Sequence, residues 1–342
     1  MRAAVYYRNS DIRIQDVPIP AIGPGEALMR IRASGVCGSD VMEWYRIHKA
    51  PLILGHEVAG EIVEVGEGVT NVKPGDRVVV SHHVPCMTCR YCRSGHETVC
   101  DTLRKTNFDP GGFCEFVRLP AMNVRLGVYP IPDGVGDDEA SFTEPLACVI
   151  RGQRIAGVGP GKNVLVVGSG ISGLLHIATA AALGAGVIVA TDVLPFRMES
   201  ASRFGAALAV HARDFTPDVF RAATGGDLAD VVITTTGAVP ALQQAFASVE
   251  RGGTILLFAP TDQGVTIPLS INDLFWKNDV TITTTYAGSP ADHFTALDMI
   301  RARRVPVGDM VTHRLPLAST QEAFGLVVRG EDSIKVIVRP QE

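Results

Sequence analysis

Through the first 148 residues, apolar positions fall in short runs broken by glycine and proline: "AAVYY", "DIRIQDV", "EALMRIRASGV", "AGEIVEVG", "DRVVVS" and "GFCEFVRLP". Runs this brief with turn formers between them predict a β-rich, barrel-like domain. After "GPGKN" the pattern changes to apolar strands alternating with longer helical stretches. Strand "VLVVG" leads into an alanine- and leucine-rich helix, followed by strand "VIVATD", a helix over 195–204, strand "LAV", a helix over 214–223, strand "DVVITTT", a helix over 239–249 and strand "TILLFA". Strands apolar on both faces need helices on both sides, which predicts a parallel, doubly wound sheet. The run "TITTTYAG" (281–288) is expected to extend that sheet at one edge, and the helix "ADHFTALDMIRARR" with strands "VTHRLPL" and "IKVIVRP" resumes the earlier mixed texture. The expected division is therefore 1–149, 150–288, and a tail 289–342 that returns to the first part.

The 342 residues, 46% hydrophobic and 20% charged, suit a globular protein of about two domains. A net charge of -5 with no basic block gives no footprint for nucleic acid and no electrostatic membrane anchor. The longest apolar stretch, residues 174–190, carries His176, Gly184 and Gly186 and divides into a helix and a strand, so no membrane segment is expected. Arg8 breaks the N-terminal apolar run too early for an export signal, so a cytoplasmic location is expected. In a reducing compartment, clustered cysteines bind metal more often than they pair as disulfides.

Four of the seven cysteines lie within "PCMTCRYCRSGHETVC", at Cys86, Cys89, Cys92 and Cys100. Four thiolates satisfy tetrahedral zinc and leave no position for substrate, so this lobe (86–100) is expected to be structural. An iron-sulfur cluster would want a shorter last gap followed by proline, whereas Asp101 follows Cys100. A nucleic-acid-binding zinc ribbon would want more than the mild excess of Arg90, Arg93, Arg104 and Lys105 over Glu97 and Asp101.

A second set of donor types is scattered: Cys37 in "GVCGSD", His56 and Glu57 in "LGHEVAG", and Glu144 in "FTEPLA". Thiolate, imidazole and carboxylates drawn from separate segments suit a catalytic zinc with room for a substrate oxygen. On residue type alone, a small buried cysteine and a hydrogen-bonded His-Glu strand end explain the same residues.

"VLVVGSGISG" sets Gly168, Gly170 and Gly173, with Ile171 and Ser172 between the last two, between an apolar strand and a helix. Glycine there permits the tight turn, close backbone approach to a pyrophosphate, and contact of helix with strand, while the helix N-terminus favours the phosphates. Asp192, nineteen residues past Gly173 at the end of "VIVATD", is placed to accept from an adenosine ribose. Its charge opposes a 2′-phosphate and favours NAD over NADP, with Arg197 the one nearby cation able to meet a phosphate.

These motifs, in order along essentially the whole chain, resemble the zinc-dependent medium-chain alcohol dehydrogenases, on the polyol (sorbitol/L-iditol) and threonine dehydrogenase side. "GVCGSD", "GHEVAGEIVEVGEGVTNVKPGDRVVV", the four-cysteine lobe, "EPLAC" and "VVGSGISG" carry the resemblance. It implies a GroES-like β-rich catalytic domain with a doubly wound Rossmann NAD-binding domain and two zinc ions per subunit. Cys37, His56 and Glu57 match the catalytic zinc ligands, Glu144 the acidic residue that binds that zinc directly or through water, and Cys86, Cys89, Cys92 and Cys100 the structural ligands. Ser39 matches the hydroxyl that takes the substrate proton outward. The implied reaction moves hydride between a secondary alcohol or polyol and NAD, giving a ketone in a homo-oligomeric enzyme, a tetramer or dimer. Dehydrogenation of a hydroxy amino acid such as threonine, or NAD-responsive binding without turnover, stand as alternatives. The helper histidine of the family is replaced in "VMEW", which raises His48 as a substitute in the proton relay. Trp44, Tyr45 and Phe108 are candidate substrate walls, and His82 and His83 read as strand-end residues.

Overall fold

Short strands with runs of buried residues build the N-terminal part, and the computed structural model describes residues 1–342 apart from the side chain of Asp273. The strands are β1 (Arg2–Arg8), β2 (Asp11–Asp16), β3 (Ala27–Gly35), β4 (Leu52–Ile53), β5 (Glu57–Val65), β6 (Arg77–Val80), β7 (Phe116–Leu119) and β8 (Val128–Pro130). A three-stranded sheet runs β2-β1-β4, while β3, β5, β6 and β8 pair antiparallel in sequence and β7 also pairs with β3. Met29, Ile31, Val58, Ile62, Val78, Val80 and Val117 fill the core of this second sheet together with Phe108, which is thus core rather than substrate wall.

The middle of the chain gives six parallel strands: β9 (Val164–Val167), β10 (Ile188–Asp192), β11 (Leu208–His211), β12 (Ala229–Thr234), β13 (Val249–Leu257) and β14 (Thr281–Thr284). Their order, β11-β10-β9-β12-β13-β14, reverses direction at β9, which is the switch point where ligands bind in doubly wound sheets. Every residue of β9 and β10 is buried, as a strand covered on both faces requires. The helix that the sequence pattern places over 214–223 runs Pro217–Thr224. Thr216 caps it through its side chain and Pro217 occupies the first turn, a pairing that sets the start. Strand β14 ends at Thr284, short of the 281–288 run, because Ala287 takes the left-handed conformation (φ 53°) that no strand continues through.

The tail supplies β15 (Val311–Pro316) and β16 (Lys335–Arg339), which pair parallel with each other, and β16 joins β3 antiparallel. Tyr6, Phe113 and Phe324 meet at ring-centroid distances of 6.0 and 5.7 Å in the core beneath. The contacts divide the chain into two units: 1–147 with 287–303 and 307–342, and 148–286 with 304–306. Among the described residues, no helix is long and apolar enough to cross a membrane.

Candidate active site

The β3–β5 register assembles the first donor set. Gly35 pairs with Glu57 and Ser34 with Val58, so the chain leaving β3 reaches Cys37 beside the point where His56 and Glu57 enter β5. One donor atom each from Cys37, His56 and Glu57 lies within 4.8 Å of the other two. Glycine at 35 leaves room for the Glu57–Lys335 pair, since a Cβ there would sit 2.1 Å from Glu57 Oε2 and displace it. Glu144, buried near the start of the helix Thr143–Ala156, lies outside this set.

Each donor is held from behind. Asp40, wholly buried, accepts from the Cys37 amide at 3.2 Å and stands 3.3 Å from His56 Nδ1, which leaves Nε2 as the nitrogen open to a metal. Burial opposes the imidazolium of His56, but the Asp40 carboxylate and the Cys37 thiolate outweigh it and hold His56 well above its ordinary value. Burial likewise opposes the Asp40 carboxylate, and His56 with Arg46 still keeps it below the usual range. Glu57 is paired through Oε2 with Lys335 Nζ, both side chains being 1% exposed, so one of its oxygens is already committed.

Ser39 donates its amide to Cys37 Sγ at 3.4 Å and accepts from Arg46 Nη2 on its hydroxyl at 3.1 Å. His48 is exposed on the turn Ile47–Lys49. His82, read from sequence as a strand end, has its ring 4.9 Å from that of His56 and 3.8 Å from that of His83. Desolvation holds it well below the ordinary histidine value, so it is a neutral neighbour of the donor set.

The four thiols of the lobe also converge, all within 4.8 Å. Cys89 and Cys92 sulfurs stand 3.6 Å apart, as do those of Cys86 and Cys100. A disulfide needs about 2.05 Å, whereas sulfurs on a tetrahedron with Zn–S of about 2.3 Å are separated by about 3.8 Å. The lobe therefore fits zinc. Hydrogen bonds from the Thr88 hydroxyl and amide draw Cys86 down to about 5, the thiolate form a metal requires, while burial pushes Cys92 up to about 12.

The glycine loop follows β9 at the switch point. Gly168 adopts φ +95°, and a Cβ on Gly173 would fall 2.0 Å from the Gly168 carbonyl, so the helix Ile171–Ala182 packs only with glycine there. Gly170 caps that helix with no side chain, and the loop is braced by Thr235 Oγ1 donating to the Gly168 carbonyl at 2.8 Å. Asp192 accepts from Ser169 at 2.7 Å on Oδ2 and from Val193 and Leu194 at 2.8 and 3.0 Å on Oδ1. Three of its roughly four acceptor positions are filled by backbone, and one is left for a hydroxyl. Arg197 approaches Asp192 Oδ2 to 3.9 Å and also stands beside Gly170.

Residues 23–133 match the alcohol dehydrogenase GroES-like domain and residues 172–302 the zinc-binding dehydrogenase domain. Sorbitol dehydrogenase of Gallus gallus is 32% identical over 98% of this chain and 96% of its own. The chain belongs to the zinc-binding alcohol dehydrogenase family. Its fold superimposes on alcohol dehydrogenase TADH from Thermus sp. ATN1 with a TM-score of 0.87 at 28% identity, covering 99% of both chains. It also superimposes on 2R,3R-butanediol dehydrogenase from Bacillus subtilis with a TM-score of 0.86 at 27% identity, again over 99% of both.

Three groups around the donor set of this dehydrogenase escape a reading of sequence. Asp40 follows Ser39 directly, and only its burial distinguishes it from a surface aspartate. Arg46 sits at the end of the short helix Glu43–Arg46, where the sequence offers charged and aromatic residues without a pattern. Lys335 comes 278 positions after Glu57 and reaches it only because β16 pairs with β3.

Proposed function

We propose that this dehydrogenase oxidises a secondary alcohol or polyol to the ketone with NAD, using one zinc held by Cys37, His56 and Glu57 and a second held by Cys86, Cys89, Cys92 and Cys100. The observation that carries this reading is the meeting of thiolate, imidazole and carboxylate at the ends of β3 and β5. When bound, the ion supplies Lewis acidity that lowers the pKa of an alcohol hydroxyl, and the dinucleotide supplies the hydride acceptor.

The protein's share is positional. Asp40 fixes the tautomer of His56, and Lys335 takes one oxygen of Glu57 and leaves the other for the ion. Glu144 completes or exchanges within the ligand set. Ser39 Oγ accepts the substrate's hydroxyl proton while its own proton leaves to water. Gly168, Gly170, Ile171, Ser172 and Gly173 cradle the pyrophosphate, and Asp192 takes the ribose and so favours NAD over NADP. We further propose a cytoplasmic homo-oligomer, a dimer or tetramer, with the edge strand β14 as a pairing surface.

Cys37→Ala is expected to abolish turnover while leaving NAD affinity, read by fluorescence titration, within about twofold. Retained turnover would overturn the ligand assignment. A panel of sugar alcohols, vicinal diols, hydroxy acids and simple secondary alcohols, followed by NADH absorbance, tests the substrate class; activity confined to hydroxy acids would count against the polyol reading.

A further inference from the structure

We propose that Arg46 is the positioning residue of the proton step, its guanidinium holding the Ser39 hydroxyl in the orientation from which it accepts the substrate's proton. The inference rests on Ser39 being the proton acceptor. Arg46 donates through Nε to the Ser39 carbonyl at 2.9 Å and through Nη2 to Ser39 Oγ at 3.1 Å, so one fork grips both backbone and side chain of the same residue. The Arg46 side chain is 14% exposed, which limits the alternative geometries open to it.

A serine hydroxyl has one proton and two acceptor positions. The Nη2 donor fills one of those positions, and a guanidinium offers no acceptor, so the hydroxyl's own proton must point elsewhere. The remaining lone pair is then the one place where an incoming proton can land. Arginine does not give up its proton in proteins, so Arg46 orients the transfer without carrying it. The same Nη2 lies 3.4 Å from Oδ1 of Asp40, the carboxylate oxygen that faces His56 Nδ1 at 3.3 Å. One nitrogen thereby ties the proton acceptor to the group that aims the histidine ligand.

The test compares Arg46→Met, Arg46→Lys, Ser39→Ala and the double variant Arg46→Met/Ser39→Ala as zinc-loaded enzymes, with the sugar alcohol or diol that the wild type oxidises fastest. Arg46→Met is expected to lower kcat about 10- to 100-fold, less than the roughly 100- to 10,000-fold of a positioned proton acceptor because the serine itself stays in place, with KM changed less than about threefold and zinc content unaltered by elemental measurement. Arg46→Lys, which keeps the charge and loses the fork, should recover only part of kcat. The double variant should be no slower than Ser39→Ala alone, because both changes break one interaction.

Multiplying effects in the double variant, or zinc lost from Arg46→Met, would overturn the proposal and make Arg46 a support of Asp40. Should Arg46→Met fail to fold, Arg46→Lys decides: full kcat overturns the proposal, and reduced kcat with zinc retained upholds it. A Ser39→Ala enzyme with wild-type kcat would remove the Ser39 reading itself and this inference with it, whereas a slow Ser39→Ala with additive Arg46→Met removes the inference alone.

Discussion

Asp192 illustrates how much one side chain can do. Three backbone amides converge on its carboxylate, which ties the glycine loop after β9 to the turn after β10. Replacing it removes both the brace and a negative charge, and leaves Arg197 beside the loop. Asp192→Gly should lower kcat/KM for NAD by about 10- to 100-fold, the range expected when buried donors lose their acceptor, and raise the NADP-to-NAD ratio. An unchanged ratio in parallel kinetic assays would show that Asp192 does not read the ribose. The positions of this loop are legible in sequence because steric limits on a side chain act at each glycine, independent of distant contacts.

At the scale of elements, the four-cysteine lobe is held by its own sulfurs more than by a core. Its apolar filling amounts to Leu103 with the cysteines themselves. With the proposed zinc in place, a segment of that kind folds together with the metal. Cys89→Ser should therefore lower Tm by roughly 10 °C, given about 2 to 4 °C per kcal/mol for chains of this order, while NAD binding is maintained. An unchanged Tm together with zinc still in the lobe would exclude the structural role. The sequence spacing exposes this lobe fully, since all four cysteines fall within 85–100. Element boundaries are less legible: the helix at Pro217 starts where a threonine cap and a proline coincide, and β14 stops where Ala287 turns left-handed, both local events that hydrophobic periodicity does not register.

For the whole molecule, the decisive event is the return of the chain's tail to the sheet that contains β3. Asp138 receives Arg314 at 2.6 Å and Arg339 at 2.7 Å, one from β15 and one from β16, and so clasps both returning strands. Burial alone would raise the Asp138 carboxyl, yet the two arginines hold it below the usual carboxylate range. A carboxylate lowered on folding contributes stability that is present above the unfolded value of about 3.9 and is lost as pH falls through the lower folded value. Because the arginines are 43% and 32% exposed, solvent screens the pairs and the contribution is about 1 kcal/mol. Asp138→Asn should therefore be less stable than wild type by that amount at pH 7 in urea titrations, with the gap closing near pH 3. An equal gap at both pH values would refute the linkage.

What the sequence determined alone is whatever depends on neighbours along the chain: the short, turn-punctuated strands of the first part, the strand-loop-helix unit at Gly168, and the clustered thiols of the lobe. Chain connectivity also made Cys37, His56 and Glu57 recognisable as donors by type. Tertiary structure decided how those donors are used. Lys335 meets Glu57 because β16 lies beside β3, Asp40 becomes a buried brace for His56, and Arg46 reaches the Ser39 hydroxyl from a short helix seven residues on. The physical reason is that a charge's role is set by burial and by the partners within hydrogen-bond reach, and both come from folding rather than from order in the chain.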